Sequence, residues 1–251
     1  MNAARAGRQV AAEQRLYWRN VSAAVFTFAL PIFLLVVFGA VGRNDTIDGT
    51  PYPDFFVPGM LGMAIIVTTF AGLAITLTVR RDRGILKRVR GTPLPPATYL
   101  GSLITSIILV LVLEVLIVIG VGRLAFDVHL PRSLPGFLLL VVVGAACCST
   151  LGLAVTRAVP NAEGSSAIVN AFYLPVLFLS GAFFPTHTLP TVVEWVTEIL
   201  PMTHVIGSMR RLFEGHALGG GDLAWLAVPI VWGIAGGLIA WRTFRWEPTG
   251  G

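Results

Sequence analysis

The sequence predicts an all-α, polytopic membrane protein with six transmembrane helices. Of its 251 residues, 55% are hydrophobic and only 12% are charged, and the mean hydropathy is +0.79. Soluble domains carry about 25% charged residues. The length suits about six apolar segments of roughly 20 residues with short connections. The net charge of +5 does not indicate nucleic-acid binding, because the cations flank apolar segments, where the positive-inside rule expects them.

The first 20 residues predict an amphipathic helix that lies in the headgroup layer of the membrane. One flank carries apolar and amide side chains and the rest carries arginine: Val10, Ala11, Gln14, Tyr17 and Trp18, against Arg5, Arg8, Arg15 and Arg19. The alternative is an ordinary cytoplasmic tail with an aromatic anchor. We expect no cleavable signal peptide, since the apolar run that follows is long enough to span a bilayer.

Six apolar segments are predicted to cross the bilayer, at 21–41, 57–79, 99–121, 136–156, 165–184 and 223–241. Pro31 lies inside the first, which membrane helices tolerate. The connection at 42–56 contains Asp45, Asp48 and Asp54, and we expect Pro51 and Pro53 to exclude helix there.

Residues 185–221, before the last span, predict a partly embedded helical hairpin on the non-cytoplasmic side. Apolar residues recur at three-and-four spacing from Leu189 to Leu200, and Pro201 then breaks the chain. A second short helix follows, carrying Ile206, Met209, Leu212 and Phe213. Helices too short to span are allowed at membrane depth when their ends are buried in protein.

The distribution of cations predicts that both termini are cytoplasmic. With the N-terminus inside, the cytoplasmic segments hold 13 of the 18 lysines and arginines, including Arg242 and Arg245 near the C-terminus, and the other side holds five. This asymmetry follows the positive-inside rule.

The most basic stretch, 79–99, connects the second and third spans. It holds six cations, among them Lys87, the only lysine of the chain, and Asp82 is its one acidic residue. We expect a cytoplasmic contact surface built on a short, stiff helical turn, whose arginines face either a partner or the lipid headgroups. If the charges served only to orient the helices, Gly84, Gly91 and the prolines at 93, 95 and 96 would have no explanation.

Motifs for catalysis or nucleotide binding are not found in the sequence. A phosphate-binding loop needs a Gly-Lys pair, but Lys87 follows Leu86. We expect no catalytic or metal site, and the adjacent Cys147 and Cys148 are expected to be packing residues. Glu114 is the one acidic residue well inside a span, and such a carboxylate is a functional candidate. It either pairs with another helix or contacts a substrate or gate.

Two stretches together resemble the ABC-2 type permeases, the membrane half of type-2 ATP-binding cassette exporters. Arg83-Gly84-Ile85-Leu86-Lys87-Arg88, followed by Thr92-Pro93-Leu94, is similar to the family's E-x-G-T-x-E/K-x-L…T-P-L element after span 2. Phe178-Leu179-Ser180-Gly181-Ala182-Phe183-Phe184-Pro185, then Leu189-Pro190 and Leu200-Pro201-Met202-Thr203-His204, resembles its F-L-S-G-x-x-F-P…L-P…N-P-L-T-Y block. Arg83, Lys87 and Arg88 depart from acidic positions of the pattern, and Leu200 and His204 replace its Asn and Tyr.

The resemblance implies that residues 80–98 are a coupling segment that seats in a cleft of a separate ATPase subunit. Its contact residues would be Arg83, Gly84, Lys87, Arg88, Arg90, Thr92 and Pro93. The block after span 5 would gate the exit, with transport-path or gate candidates Glu114, Phe178, Gly181, Phe184 and Pro185.

The assembly implied by the resemblance contains two ATPase subunits, which bind ATP and Mg, and a second permease copy, identical or a close paralogue. This chain would bind no cofactor and would contact membrane lipids. The expected function is outward export of a drug, antibiotic or lipid across the cell membrane, as in antibiotic resistance. The rival functions are a lipid-modifying membrane enzyme, which needs a cluster of polar residues, and a secondary carrier, which needs more intramembrane charge.

Overall fold

A computed structural model describes residues 3–47 and 49–244, and nearly all of them are helical. Asp48 and Arg245 lie outside the described residues. The helices are α1 Ala3–Arg19, α2 Val21–Val41, α3 Tyr52–Ile65, a π-helical segment Ile66–Gly72, α4 Leu73–Asp82, α5 Ile85–Arg90, α6 Pro96–Phe126, α7 Leu134–Val155, α8 Ser165–Leu179, α9 Thr191–Ile199, α10 Pro201–Phe213, α11 Gly220–Trp225 and α12 Ala227–Thr243.

Five helices of the described part are long and apolar enough to cross a membrane: Val21–Val41, Tyr52–Asp82, Pro96–Phe126, Leu134–Val155 and Gly220–Thr243. They confirm the prediction of an all-α, polytopic membrane protein. The predicted fifth span contains α8, which has 15 residues and is therefore about 22 Å long. A bilayer core is about 30 Å thick, so the count of six spans stays a prediction.

The long helix Tyr52–Asp82, made of α3, the π-helical segment and α4, forms the centre of the fold. In its most apolar stretch 78% of the residues are buried, whereas in the most apolar stretch of α2 only 22% are buried. It contacts α2, α6, α7, α8 and α10. The outer helices α2 and α12 expose large apolar side chains such as Phe26 and Trp241, as lipid-facing helices do.

The prediction that Pro51 and Pro53 exclude helix from the connection 42–56 is wrong. Two short strands, β1 Thr46–Ile47 and β2 Thr50–Pro51, pair in an antiparallel hairpin, and α3 begins directly afterwards with Pro53 in its first turn. Proline is compatible with that position, because the first N–H groups of a helix have no partner within the helix.

Close backbone contact joins α12 to α7. A Cβ placed at Gly233 would lie 3.3 Å from Cys147 Cα, and one at Gly236 would lie 3.0 Å from Leu151 N. The G-x-x-x-G pair Gly233 and Gly237 therefore lies beside α7 of the same chain. Cys147 and Cys148 are buried free thiols, as the packing interpretation expects.

The two helices predicted between the last spans are present as α9 and α10. The apolar face of α10 packs against α3 and α7 and is buried at Met202, Val205, Ile206, Met209, Leu212 and Phe213. By contrast, α9 exposes Val192, Trp195 and Ile199.

Candidate functional site

The basic segment, residues 80–98, contains α5, a helix of six residues. Gly84 precedes it with φ +67°, a left-handed conformation that glycine adopts without steric cost. After the helix, Thr92 Oγ1 donates a hydrogen bond of 2.7 Å to Val89 O. Leu86 is fully buried in a cluster with Leu73, Leu77, Tyr99 and Leu103. This apolar anchor fixes α5 to the ends of α4 and α6.

The six cations of the basic segment divide into two groups. Arg80 and Arg81 turn inward, and Arg81 is 4% exposed. The predicted contact residues are exposed, apart from the partly buried Gly84: Arg83, Lys87, Arg88, Arg90, Thr92 and Pro93. The four exposed cations on α5 and the turn before it form a surface suited to an acidic or carbonyl-rich partner surface.

Arg80 forms a buried ion pair with Glu13 of α1. Its two terminal nitrogens contact Glu13 Oε1 at 2.9 Å and Oε2 at 2.6 Å, and Nη1 also donates to Tyr99 Oη at 2.7 Å. The side chains are 15% and 2% exposed for Arg80 and Glu13. This cluster ties the N-terminal helix to α4 and α6. Sequence reasoning missed it, although Glu13 is the only acidic residue among the first 20.

Further contacts join α1 to α6 and to α2. Gln14 Nε2 donates to the carbonyl and the hydroxyl oxygen of Ser106 at 2.7 and 3.0 Å. Trp18, which is 45% exposed, stacks on Phe28 with a centroid distance of 5.7 Å. The amphipathic helix is therefore packed on the protein along one face, and its position in the headgroup layer stays a prediction.

The end of α4 is also joined to the short link between α7 and α8. Arg81 Nη1 donates to Thr156 O at 2.8 Å, and Nη2 donates to Val159 O. Asp82 Oδ2 accepts a hydrogen bond of 3.1 Å from Ala162 N. A displacement of the basic segment would therefore be passed to α7 and α8 as well as to its own spans.

The end of α8 and the turn after it contain four of the predicted path or gate residues: Phe178, Gly181, Phe184 and Pro185. Gly181 has φ +75°, which explains the glycine there. Phe178 stacks on Phe183 at a centroid distance of 5.0 Å. Phe178 and Phe184 are exposed, and Pro185 precedes a 3-10 turn, Thr186–Thr188.

Arg210 of α10 holds this turn against α3. Its Nε donates to Phe55 O at 3.1 Å, its Nη2 donates to Gly181 O, and its guanidinium lies 3.7 Å from the centroid of the Phe55 ring. The turn also approaches Gly59, where an added Cβ would lie 1.9 Å from Ala182 O. In the sequence, Arg210 is only one of the five cations that the predicted topology places on the non-cytoplasmic side.

Glu114, the remaining path or gate candidate, is hydrogen-bonded to the central helix. It is 1% exposed, and its Oε2 accepts a hydrogen bond of 2.6 Å from Thr68 Oγ1. Thr68 belongs to the π-helical segment, so the contact joins α6 to the central helix. The other carboxylate oxygen, Oε1, is buried without a hydrogen-bond partner in the described part of the chain.

Comparison with known proteins identifies the family of the chain. A sequence model of the family described as ABC-2 type transporter matches residues 9–213. The chain belongs to this family. It is 26% identical over 197 residues to the daunorubicin resistance ABC transporter permease protein DrrB1 of Streptomyces coeruleorubidus. The aligned region covers 75% of this chain and 67% of DrrB1. It is 29% identical over 214 residues to nodulation protein J of Rhizobium meliloti (strain 1021). That alignment covers 81% of this chain and 79% of the relative.

Membership of the ABC-2 transporter family makes the chain a membrane subunit for transport, and it implies an ATP-binding partner and a dimeric arrangement. The matched residues include most of α1, the whole basic segment, and the hairpin as far as the end of α10. Within residues 3–47 and 49–244, no group of three His, Cys, Asp or Glu side chains is placed to hold a metal ion.

Proposed function

We propose that this chain is the permease subunit of an ATP-binding cassette exporter that moves a hydrophobic or amphipathic compound, such as a drug, antibiotic or lipid, outward across the cell membrane. Two separate ATPase subunits would bind and hydrolyse ATP with Mg, and a second permease copy, identical or a close paralogue, would complete the pore. The daunorubicin-resistance permease among its relatives supports the drug-export assignment.

The single observation that carries the proposal is the division of charge in the basic segment. Lys87, Arg88 and Arg90 are exposed on a short helix and Arg83 is exposed just before it. Leu86 anchors that helix to α4 and α6, and Arg80 joins α4 to α1. A contact helix that transmits a push must expose its contact residues and must be rigidly attached. The basic segment meets both requirements, and Arg81 and Asp82 extend the attachment to the link before α8.

The contacts at the two ends of α8 support six spans with both termini in the cytoplasm. Before α8, Ala162 bonds Asp82 at one end of the central helix, and after it Ala182 packs on Gly59 near the other end. The 24 residues from Gly59 to Asp82 correspond to roughly 35 Å of helix, about one bilayer core. The short helix and its turn would therefore complete a crossing.

Contacts of the hairpin turn support a re-entrant segment between 185 and 221. Trp232 Nε1 donates a hydrogen bond of 2.9 Å to Ile199 O at the end of α9. Trp232 is in the middle of the span Gly220–Thr243. The turn between α9 and α10 would then reach the middle of the membrane, where the indole satisfies a carbonyl that water cannot.

The turn held by Arg210 is proposed as the gate at the outer end of the transport path. Its phenylalanines at 178 and 184 are exposed on the surface of this subunit, where a second copy or a passing apolar compound can contact them. Because one side chain connects Gly181 O to Phe55 O, a shift of α10 would move the turn directly. Glu114 would act by holding α6 to the central helix.

The test replaces the four exposed cations of α5 and its flank, Arg83, Lys87, Arg88 and Arg90, with glutamine. We expect the variant to insert and dimerise but to lose association with the ATPase that the unaltered chain captures, and to lose ATP-driven export. Loss of the charges removes the contact surface while the Leu86 anchor remains. Pull-down and transport in reconstituted vesicles measure the two effects.

The matched control replaces four arginines of α1 with glutamine: Arg5, Arg8, Arg15 and Arg19, all exposed. It removes the same charge from the same predicted side of the membrane. Unchanged ATPase capture and transport in the α5 variant would refute the proposal. An equal loss in both variants would show that only the net cytoplasmic charge matters.

A further inference from the structure

An apolar cavity of about 190 Å³ lies between the π-helical segment, α7, α8 and the start of α10. Ile66 and Phe70 line it from the central helix, Cys148 from α7 and Tyr173 from α8. Engineered apolar cavities of about 150 Å³ stay free of water and bind benzene or xenon. The cavity is therefore large enough for a hydrocarbon ligand.

The wall of the cavity presents almost entirely carbon and sulfur. The remaining lining includes Leu151, Val155, Val176 and Met202, none of which carries a side-chain hydrogen-bonding group of ordinary strength. A headgroup, an ion or the polar part of a drug would lose its hydrogen bonds to water here and gain few. Of the two polar aromatic side chains in the lining, Trp232 already donates its Nε1 hydrogen to Ile199 O, which leaves the hydroxyl of Tyr173. The lining therefore selects a plain hydrocarbon chain.

The cavity has a buried floor and an exposed rim. Ile66, Cys148 and Met202 are at most 3% exposed, whereas Phe172 and Trp232 on the rim are 49% and 38% exposed. Trp232 is at the middle of the apolar helix Gly220–Thr243, and Phe70 lies in the central span. Such a rim opens towards bilayer hydrocarbon, which supplies acyl chains at very high local concentration.

We propose that this cavity binds one acyl chain of a membrane phospholipid. The chain enters between Phe172 and Trp232, and its end reaches the floor beside Cys148. Filling the space restores the dispersion contacts that an empty cavity lacks. The bound lipid stabilises the junction of the hairpin turn, α8 and the π-helical segment.

The experiment uses the full-length protein in vesicles of phosphatidylethanolamine and phosphatidylglycerol, without the ATPase. A phosphatidylglycerol with a diazirine near the methyl end of one acyl chain is activated by light, and the labelled peptides are mapped by mass spectrometry. We expect labelling of the buried floor around Cys148 and Met202. Val176→Phe, which fills the cavity from α8, lowers that labelling several-fold because added volume displaces the chain.

Leu174→Phe is the matched control, since Leu174 is a partly exposed residue of the same helix outside the cavity lining. It leaves labelling of the floor unchanged. If Val176→Phe does not fold, Val155→Phe fills the cavity from α7 and gives the same expected loss. Labelling confined to the rim and equal in all variants would overturn the proposal, as would labelling of the floor by a water-soluble diazirine. Neither result depends on export or on ATPase capture, so the site and the proposed function fail separately.

Discussion

Replacing Glu13 with glutamine tests whether the N-terminal helix is fastened to the transmembrane region by its ion pair with Arg80. The two contacts of 2.9 and 2.6 Å form a bidentate pair, and the Glu13 side chain is only 2% exposed. Removing one partner of a buried pair costs about 3–5 kcal/mol, because the other charge stays buried. Arg80 is 15% exposed and keeps the Tyr99 hydroxyl, so we expect the low end, about 3 kcal/mol.

The free energy of unfolding, measured in detergent micelles by denaturant titration or steric trapping, gives the magnitude. Glu163→Gln is the matched control, because Glu163 is exposed, and we expect it to change stability by less than about 0.5 kcal/mol. A double-mutant cycle with Arg80→Gln should show a coupling energy of about 2 kcal/mol or more. If Glu13→Gln behaves like the control and the cycle is additive, the pair does not fasten α1.

Two further substitutions test the packing of the proposed gate. Arg210→Lys removes the guanidinium that reaches Gly181 O, so we expect a loss of about 2 kcal/mol and faster proteolysis of residues 181–190. Arg211→Lys changes the neighbouring exposed residue and keeps the positive charge that pairs with Asp222. It should change neither quantity, and equal effects in the two variants would contradict the assigned role. Gly59→Ala places a methyl group 1.9 Å from a carbonyl of the turn and should cost about 3 kcal/mol or more, or prevent folding. Gly101→Ala on α6, where no atom lies within 4 Å, should be neutral or stabilise by up to about 1 kcal/mol, as thermal unfolding would show.

Much of the secondary structure could be predicted because its causes are local. Long apolar runs gave the first span as residues 21–41, which the structure confirms as Val21–Val41. Three-and-four spacing and Pro201 gave the two helices of the hairpin. The error at Pro53 arose because a proline forbids helix only in the interior, and whether a proline begins a helix depends on the residues that follow it.

Side-chain partners could not be predicted, because they join residues far apart in the chain. Thr68 is 46 residues from Glu114, and Arg210 is 29 residues from Gly181. Nothing in the local pattern around either residue specifies the other. The apolar cavity could not be predicted either, since its walls come from five separate elements and each contributes residues that also suit an ordinary core.

The basic stretch shows most clearly which features the sequence determines and which depend on the tertiary structure. The sequence by itself determined that six cations lie between two spans, and that Gly84 and the prolines shape a short helix there. Only the tertiary structure decided that Arg80 and Arg81 serve the protein's own packing while Arg83, Lys87, Arg88 and Arg90 are exposed. The reason is that Glu13 and the carbonyls of Thr156 and Val159 come from other parts of the chain, and folding alone brings them to one end of the central helix.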